Sequence, residues 1–481
     1  MVNPRITTVI KRDGSRVQFD QSKIKCAIKK AILAEEPNQK YAPDPEKSAE
    51  REASLFAQEV VEELHQRCRK SESPHIEKIQ DVILEVLHRD MARGEDSIST
   101  RPESLWMSYM LYREGHAMIR NGTLSKEHFR PVTKPMKKLE ELREWNKHHS
   151  TGTAEELNAW YKGGNLRTLI RAAEERSTDE LMAVACAIDT AITQKGLRAM
   201  IITGPSSSGK TVTSRKAIKL LGQIRPDIGF KSLELDNYFR GAKSHERVSY
   251  NVDGRTVNDR NMELPETYDI PLINEHLEAL MRGKTVMMPK YNFKTSVRTD
   301  NQTPFVLNWN EVLLIDCLHA LSPQLTEAIP PENKFKLYIE PLSLLEDKEG
   351  RPVYLTDIRL LRRMLRDERT RGHPIPATLW HWHLVRKGER FILPHLYSAD
   401  MIVDTGLPYE LPIFKRLLEN EIRAMLPMFE RNPDLFDGRE RARRVLRLFR
   451  QLEAARPKQI DMVPSDSILR EFIGGSEFFR E

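Results

Sequence analysis

An eight-residue segment, residues 204–211 with the sequence GPSSSGKT, constrains the fold more than any other part of the chain. It follows an apolar run at 199–203 and precedes a helical pattern, which predicts a strand, a tight loop and a helix. In the pattern G-x-x-x-x-G-K-[ST], backbone N–H groups and the helix N-terminus cradle phosphate oxygens. We therefore predict a nucleotide-binding loop, with contacts from Gly204, Ser206, Ser207, Ser208, Gly209, Lys210 and Thr211.

Strand-like and helix-like segments alternate on both sides of this loop. Apolar runs at 199–203, 231–235, 312–315 and 336–339 are separated by helical patterns at 210–222, 271–282 and 357–370. Such alternation is typical of α/β proteins, in which helices cover both faces of a parallel sheet. We predict this fold for residues 196–430, followed by a C-terminal helix and tail at 431–481.

Carboxylates follow two of the predicted strands. Asp236 ends the second strand and Asp316 ends the third. Ligands of open α/β sheets bind at this edge, and phosphoryl transfer to a hydroxyl benefits from a carboxylate that accepts the proton. We expect Asp236 to be the general base. Lys210 is expected to reach the β- and γ-phosphates, and Thr211 and Asp316 to hold Mg²⁺.

A predicted helix near 358–371 contains six arginines. A run of this kind is usually a solvated basic face. In a phosphoryl-transfer enzyme, however, arginines neutralise charge that develops on the transferred group. We expect at least one of Arg363, Arg366 and Arg371 to act in a lid.

The first 117 residues form a separate predicted domain. Two β-like runs at 7–10 and 16–19 flank a turn at 12–14, and Asp20 is a candidate cap for a helix that begins near 21. Further helical patterns occur at 48–69 and 75–93. Residues 118–195 are charged and helical, so we interpret them as a connector.

Composition limits the class of protein. The 76 basic and 70 acidic residues leave a net charge of only +6, without the basic concentration of a nucleic-acid binder. No apolar run approaches the length of a membrane span, and the N-terminus has no apolar signal core. The four cysteines form no C-x-x-C pair. These features predict a cytoplasmic protein with neither a nucleic acid nor a membrane as its partner.

Residues 197–410 resemble the uridine kinase and phosphoribulokinase family. The resemblance rests on GPSSSGKT, LELDNYFR, MMPKYNFKTSVRT, VLLIDCLHAL and RLLRRMLRDERTRG, in the order and spacing of the family. Residues 463–476 also resemble the tail of some bacterial nucleoside kinases, whose N-terminal domain is like that of threonyl-tRNA synthetase. The N-terminal domain of this chain is different.

The resemblance implies roles for single residues. Asp236 matches the family's general base, Tyr291 an aromatic residue near the nucleoside, and Glu263 an acid that grips the ribose hydroxyls. Among the arginines, Arg366 matches a catalytic residue, Arg371 a contact to the donor nucleotide and Arg363 an acceptor contact. Two positions depart from the pyrimidine kinases, because Ser296 stands where they often have a histidine and His373 where they often have an arginine. The resemblance therefore implies kinase chemistry and leaves the nucleoside base open.

Residues 5–116 resemble an ATP-cone, a regulatory nucleotide-binding domain. The matching segments are VIKRDG at 9–14, FD at 19–20, KI at 23–24 and YMLYR at 109–113. The resemblance implies an allosteric nucleotide, ATP or dATP, and regulation through a homo-oligomer. The residues expected to contact that nucleotide are Lys11, Arg12, Asp13, Gly14 and Lys23.

Three functions are consistent with these patterns. The leading interpretation is an ATP- and Mg²⁺-dependent kinase that phosphorylates the 5′-hydroxyl of a ribonucleoside. The second is a kinase of another hydroxylated acceptor, such as 2-phosphoglycerate or a sugar phosphate. The third is a nucleotide-sensing regulator without catalysis, although a sensor needs no general base.

Overall fold

The computed structural model describes residues 6–11, 14–33, 45–68, 72–91, 98–99, 105, 109, 134–241, 244–292, 295–348, 353, 355–389, 391–432 and 435–479. The chain divides into two compact units. The first ends at residue 140, and the second comprises residues 141–348 and 353–481.

The first unit contains a small antiparallel sheet and three helices in its described part. Strand β1 (Thr8–Ile10) pairs with β2 (Arg16–Gln18), and the helices are α1 (Gln21–Leu33), α2 (Pro45–Arg67) and α3 (Ile76–Met91). The predicted Asp20 cap is present, since Asp20 Oδ1 accepts the Ser22 N–H at 2.9 Å. Helix α2 packs between α1 and α3. The predicted mainly helical domain with a small sheet is confirmed.

The second unit is built on a five-stranded parallel sheet in the order β11-β10-β3-β9-β4. The strands are β3 (Ala199–Thr203), β4 (Gly229–Glu234), β9 (Glu311–Asp316), β10 (Lys334–Glu340) and β11 (Met401–Asp404). Parallel pairing is uniform along this order. The predicted parallel α/β sheet is confirmed, and β11 is an additional strand that the apolar pattern did not reveal.

Helices cover both faces of the sheet. Met200 and Ile202 of β3 pack in one core cluster, and Ala199 and Ile201 pack in another on the opposite face. Strands buried on both faces are nearly continuously apolar, which explains the run at 199–203. The helices are α4 (Lys134–His149), α5 (Ala154–Lys162), α6 (Leu166–Lys195), α7 (Lys210–Ile224), α8 (Ile270–Met281), α9 (Leu355–Arg366), α10 (Ile375–Glu389), α11 (Glu410–Arg431), α12 (Phe436–Gln451), α13 (Pro457–Ile460) and α14 (Arg470–Ile473).

Two antiparallel hairpins extend from this unit. Strands β5 (Glu246–Val252) and β6 (Arg255–Asn261) form the first, and β7 (Val286–Asn292) and β8 (Val297–Phe305) form the second. The β5–β6 turn places Asp253 and Gly254 at φ values of 49° and 77°. An Asp-Gly pair favours such a turn because glycine adopts positive φ without steric cost.

Residues 141–195 of the predicted connector belong to the second unit. Leu157 of α5 and Leu166 of α6 join one core cluster, and Leu181, Val184 and Ile188 of α6 join another that includes β3. Residues 141–195 therefore contribute core, and the four-region division remains a prediction. None of the described helices is both long and apolar enough to cross a membrane. The cysteines are free thiols, at Cys26, Cys68, Cys186 and Cys317.

Candidate active site

The backbone conformation of the phosphate loop requires glycine at two positions. Gly204 has φ of 157°, and a Cβ there would collide with the carbonyl oxygen of Ile339. Gly209 has φ of 92°, and its Cβ would lie 2.8 Å from Cγ2 of Ile468. The Nζ of Lys210 folds back over the loop and donates to the Gly204 carbonyl at 2.9 Å. The loop thus leads from β3 into α7 as predicted.

The two candidate carboxylates lie at the carboxyl edge of the sheet. Asp316 is the last residue of β9, in register with Ile202 of β3 and Glu234 of β4. Asp236 lies two residues beyond β4, in a 3₁₀ turn, Leu235–Tyr238. Both carboxylates therefore face the region of the phosphate loop, which follows β3 at the same edge.

The pKa of the Asp236 carboxyl is raised to about 6. The first cause is desolvation by the surrounding protein, although the side chain still reaches solvent, and the second is the charge of Asp316. The Tyr268 hydroxyl opposes the rise, because it donates to Asp236 Oδ1 at 3.2 Å. Desolvation also raises the pKa of Asp316, against the stabilising charge of Lys210. A pKa perturbed by a specific charged neighbour is typical of a group that moves protons.

Three arginines of α9 are buried, so a wholly solvated basic face is the wrong interpretation for them. Arg359 pairs with Glu340 at 2.8 Å and with Glu389, and Arg362 pairs with Glu410 at 2.8 Å. Arg363 pairs with Glu263 at 2.7 Å and with Asp367 at 2.9 Å. A buried charge is tolerated only when it is paired and hydrogen-bonded, and these acids meet that requirement.

The same arginines contact the phosphate loop. Nη1 of Arg359 donates to the Ser206 carbonyl at 3.4 Å, and Nη1 of Arg362 donates to the Ser208 carbonyl at 3.5 Å. Nη1 of Arg363 lies 2.8 Å from Ser206 Oγ. The loop carbonyls are therefore engaged by cations, an arrangement that suits a loop whose N–H groups face an anion.

A second pair of arginines is less enclosed. A π-helical turn, Asp367–Arg371, follows α9, and both Arg366 and Arg371 pair with Asp367 Oδ1, at 3.0 and 3.5 Å. The side chain of Arg371 is 51% exposed. Repulsion from Arg366 is the main reason that the pKa of Arg371 falls to about 10. Asp367 is also paired with Arg363, so one carboxylate is shared by three guanidiniums, and a local excess of positive charge remains, as a phosphoryl-stabilising segment requires.

The acceptor side combines an acid with aromatic rings. Glu263 is buried, and its backbone carbonyl accepts from His319 Nε2 at 2.8 Å. The ring of Phe239 lies 4.5 Å from that of Tyr268 and 5.5 Å from that of Tyr291, between centroids. All three rings are buried and belong to one core cluster.

The two predicted specificity positions lie on separate segments. Ser296 is in the β7–β8 turn with φ of 53°. His373 follows the π-helical turn, and its N–H donates to the Asp367 carbonyl at 3.1 Å. The contribution of either side chain to base recognition stays a prediction.

Comparisons with known proteins agree with the fold of the second unit. Residues 200–410 match the model of the phosphoribulokinase / uridine kinase family. This region is a domain of that family. The kinase region is followed by residues 411–481, which lie beyond the match, and residues 7–118 match the ATP cone domain.

Individual relatives are similar over less than half of the chain. A uridine kinase of Deinococcus deserti is 29% identical over 210 residues, which are 43% of this chain and 86% of that protein. A uridine kinase of Halobacterium salinarum is 25% identical over 228 residues, 46% of this chain and 85% of that protein. The uridine-cytidine kinase B of Dictyostelium discoideum is 26% identical over 207 residues, 43% of this chain and 73% of that protein.

In the ATP-cone, the described candidate residues surround a tight turn. The N–H of Gly14 donates to the Lys11 carbonyl at 3.0 Å, and Gly14 has φ of 79°. Lys23 lies in the first turn of α1 and is exposed. Arg12 and Asp13 lie outside the described residues.

Sequence reasoning missed several residues around the kinase site. Tyr268 was not among the predicted site residues, although its hydroxyl donates a hydrogen bond to Asp236. Arg359 and Arg362 were noted only as members of a basic run, yet they contact the loop. Their spacing with Arg363 and Arg366, on one helical stripe, was a usable signal of a buried face.

The Arg362–Glu410 pair provides a stability prediction. Replacing Arg362 with Met leaves Glu410 buried and unpaired, so we expect a loss of about 3–5 kcal/mol in the free energy of unfolding. Adding Glu410→Leu should recover most of that loss. ATP binding should stay impaired in the double variant, because the bond to the Ser208 carbonyl is gone. Denaturant unfolding and ATP binding, measured on the same variants, test both expectations.

The exposed pair Arg423–Glu419, at 2.7 Å, is the matched control. Arg423→Met should change stability by no more than about 1 kcal/mol, as is usual for surface pairs. Equal losses at Arg362 and Arg423 would contradict the buried role of Arg362.

Proposed function

We propose that this protein is an ATP-dependent nucleoside kinase that transfers the γ-phosphoryl group to the 5′-hydroxyl of a ribonucleoside, uridine or cytidine. The observation that carries the proposal is Asp236, a carboxylate with its pKa raised to about 6 at the sheet edge of a phosphate-loop kinase region. The similarity to uridine kinases supports the class of acceptor.

The phosphate loop is proposed to hold the donor. Its N–H groups and the N-terminus of α7 bind the phosphates, and Lys210 leaves the loop carbonyls to reach the β- and γ-phosphates. Thr211 and Asp316 offer hydroxyl and carboxylate oxygens, which are the ligands that Mg²⁺ prefers. When bound, Mg²⁺ neutralises charge on the phosphates.

Asp236 is proposed to receive the proton of the acceptor. The 5′-oxygen forms a bond to the γ-phosphorus, the bond from that phosphorus to the β–γ bridging oxygen breaks, and the hydroxyl proton passes to the Asp236 carboxylate. At pH 7 a carboxyl with a pKa of about 6 is mostly ionised and still basic enough to help. Tyr268 holds the carboxylate in place through its hydroxyl.

Arg366 and Arg371 are proposed to cover the transferring group. Their mutual repulsion weakens when a phosphate lies between them, because each then faces an anion. Closure of this segment would also exclude water, which suppresses hydrolysis of ATP.

The acceptor site favours a nucleoside over a phosphorylated acid or sugar. Tyr291, which the resemblance implies lies near the nucleoside, packs with Phe239 in a buried aromatic cluster. Glu263 is proposed to accept hydrogen bonds from the ribose hydroxyls. A phosphorylated acceptor needs cations beyond Arg366 and Arg371, which are assigned to the transferring group. The other arginines of α9, Arg359, Arg362 and Arg363, are already paired with buried acids. A purely sensing function leaves Asp236 and its Tyr268 partner without a purpose.

The ATP-cone is proposed to sense ATP or dATP at Lys11, Gly14 and Lys23 and to regulate the kinase region, through a homo-oligomer. Regulation requires that the nucleotide bind one state of the protein more tightly than another. The presence of an ATP-cone match separate from the phosphate loop supports two nucleotide sites in one chain.

The acceptor is tested by ADP release from Mg-ATP. We expect stimulation by uridine or cytidine, and a loss of at least about a hundredfold in kcat for Asp236→Asn, since a general base contributes roughly 10²–10⁴-fold. Ribulose 5-phosphate and 2-phosphoglycerate are the comparison acceptors. Stimulation by those compounds alone, or by no acceptor, would overturn the nucleoside assignment.

The pH profile tests the role of Asp236. Because the ionised form accepts the proton, kcat/KM should rise with pH, reach half its maximum near pH 6 and level off above pH 7. Tyr268→Phe removes a bond that lowers the pKa, so the acid limb should move to higher pH by up to about one unit. Tyr161→Phe, whose hydroxyl bonds the Tyr409 carbonyl, should leave the limb in place. An unmoved limb in Tyr268→Phe would contradict the assignment.

Nucleotide binding by Lys210→Ala tests the second site. We expect this variant to lose the phosphate-loop site and to keep binding of ATP or dATP at the ATP-cone, measured by equilibrium dialysis. The double variant Lys210→Ala/Lys23→Ala should bind at least about tenfold more weakly at the remaining site, because one charge-assisted bond to phosphate is lost. No binding by Lys210→Ala itself would exclude a nucleotide site in the ATP-cone.

A further inference from the structure

The C-terminal tail, residues 463–479, packs against the kinase region and lies outside the matched family region. Asp466 pairs with Lys216 of α7 at 3.3 Å, and Glu477 pairs with Lys219 at 3.2 Å. Ser467 Oγ lies 3.2 Å from the Tyr409 hydroxyl. The tail is thus attached along the helix that follows the phosphate loop.

Within this tail, residues 468–474 contact both the phosphate loop and two arginines, Arg362 of α9 and Arg369 of the π-helical turn. The Ile468 side chain packs directly on Gly209, where it fills the space that a Cβ would occupy. Phe472 is buried, with the Arg362 guanidinium 5.1 Å from its ring centroid, and the Arg369 guanidinium packs on Gly474. Residues 468–474 therefore lie beside both the phosphate loop and the arginines at 362–369.

Glu471 lies one turn beyond the contact with the loop. Its N–H donates to the Ile468 carbonyl at 3.2 Å. Its Oε2 atom is buried and has no hydrogen-bond partner among the described residues. Glu471 and Asp316 also lie close enough for their negative charges to interact.

A buried carboxylate oxygen without a partner is costly, and so is a second carboxylate beside the first. A cation held between them removes both costs, because it satisfies the oxygen and screens the repulsion. Thr211, the proposed Mg²⁺ ligand of the loop, lies two residues from Gly209, the glycine that Ile468 covers.

We propose that Glu471 is a third oxygen donor of the magnesium site, directly or through a metal-bound water, together with Thr211 and Asp316. The tail then completes the donor site of the kinase region. This inference rests on the proposed binding of Mg-ATP at the phosphate loop, and it does not depend on the identity of the acceptor.

Removing the charge of Glu471 should change nucleotide affinity in opposite directions with and without Mg²⁺. With Mg²⁺ present, Glu471→Gln should weaken binding of a fluorescent ATP analogue about tenfold, because metal-site partners typically contribute 10–100-fold in metal affinity. In EDTA the same variant should bind the analogue more tightly than the wild type, because one negative charge near the phosphates is gone. Asp316→Asn should show the same reversal.

Glu477→Gln is the matched control, since the Glu477 carboxylate is also in the tail but pairs with Lys219 on α7. This substitution should change the affinity for the analogue neither with Mg²⁺ nor in EDTA. Weakening by Glu471→Gln in both conditions would show a structural role only and overturn the proposal. An unchanged value in both conditions would overturn it as well. Failure of the wild type to bind the analogue would instead refute the proposed function.

Discussion

The buried arginines of α9 are the interaction on which the kinase site depends. Arg359, Arg362 and Arg363 each join a buried acid to the phosphate loop, so the loop backbone is held from the protein side. Breaking one such pair leaves an uncompensated charge in the interior, which is among the costliest single changes in a protein. The shape of the loop is therefore coupled to the stability of the whole unit.

The charges around the site form two groups, one balanced and one unbalanced. In the balanced group, each buried arginine of α9 is paired with a buried acid. Elsewhere in the site, the charge of Asp316 raises the cost of ionising Asp236, while Arg366 and Arg371 repel each other around Asp367. In the proposed function, the phosphates of ATP offset the positive charge of Arg366 and Arg371, and Mg²⁺ offsets the negative charge of the carboxylates.

Local sequence patterns predicted strands and helices of the second unit. They could not predict contacts between residues that lie far apart in the chain. The phosphate loop, β3 and the position of Asp236 follow from apolar runs and a short motif. The acids that pair with Arg359 could not be foreseen in the same way, because Glu340 and Glu389 come from β10 and α10. The β5–β6 hairpin was missed because its strands are polar and half exposed, so they lack an apolar run.

The order of strands in the sheet has a consequence for synthesis of the chain. Strand β3, which leads into the phosphate loop, pairs only with β9 and β10, and both are made more than a hundred residues later. The first unit has mostly short-range contacts between consecutive helices. Local contacts form fast and distant pairings form slowly. On the ribosome, the N-terminal unit is thus able to fold while the residues of the phosphate loop still await their neighbouring strands.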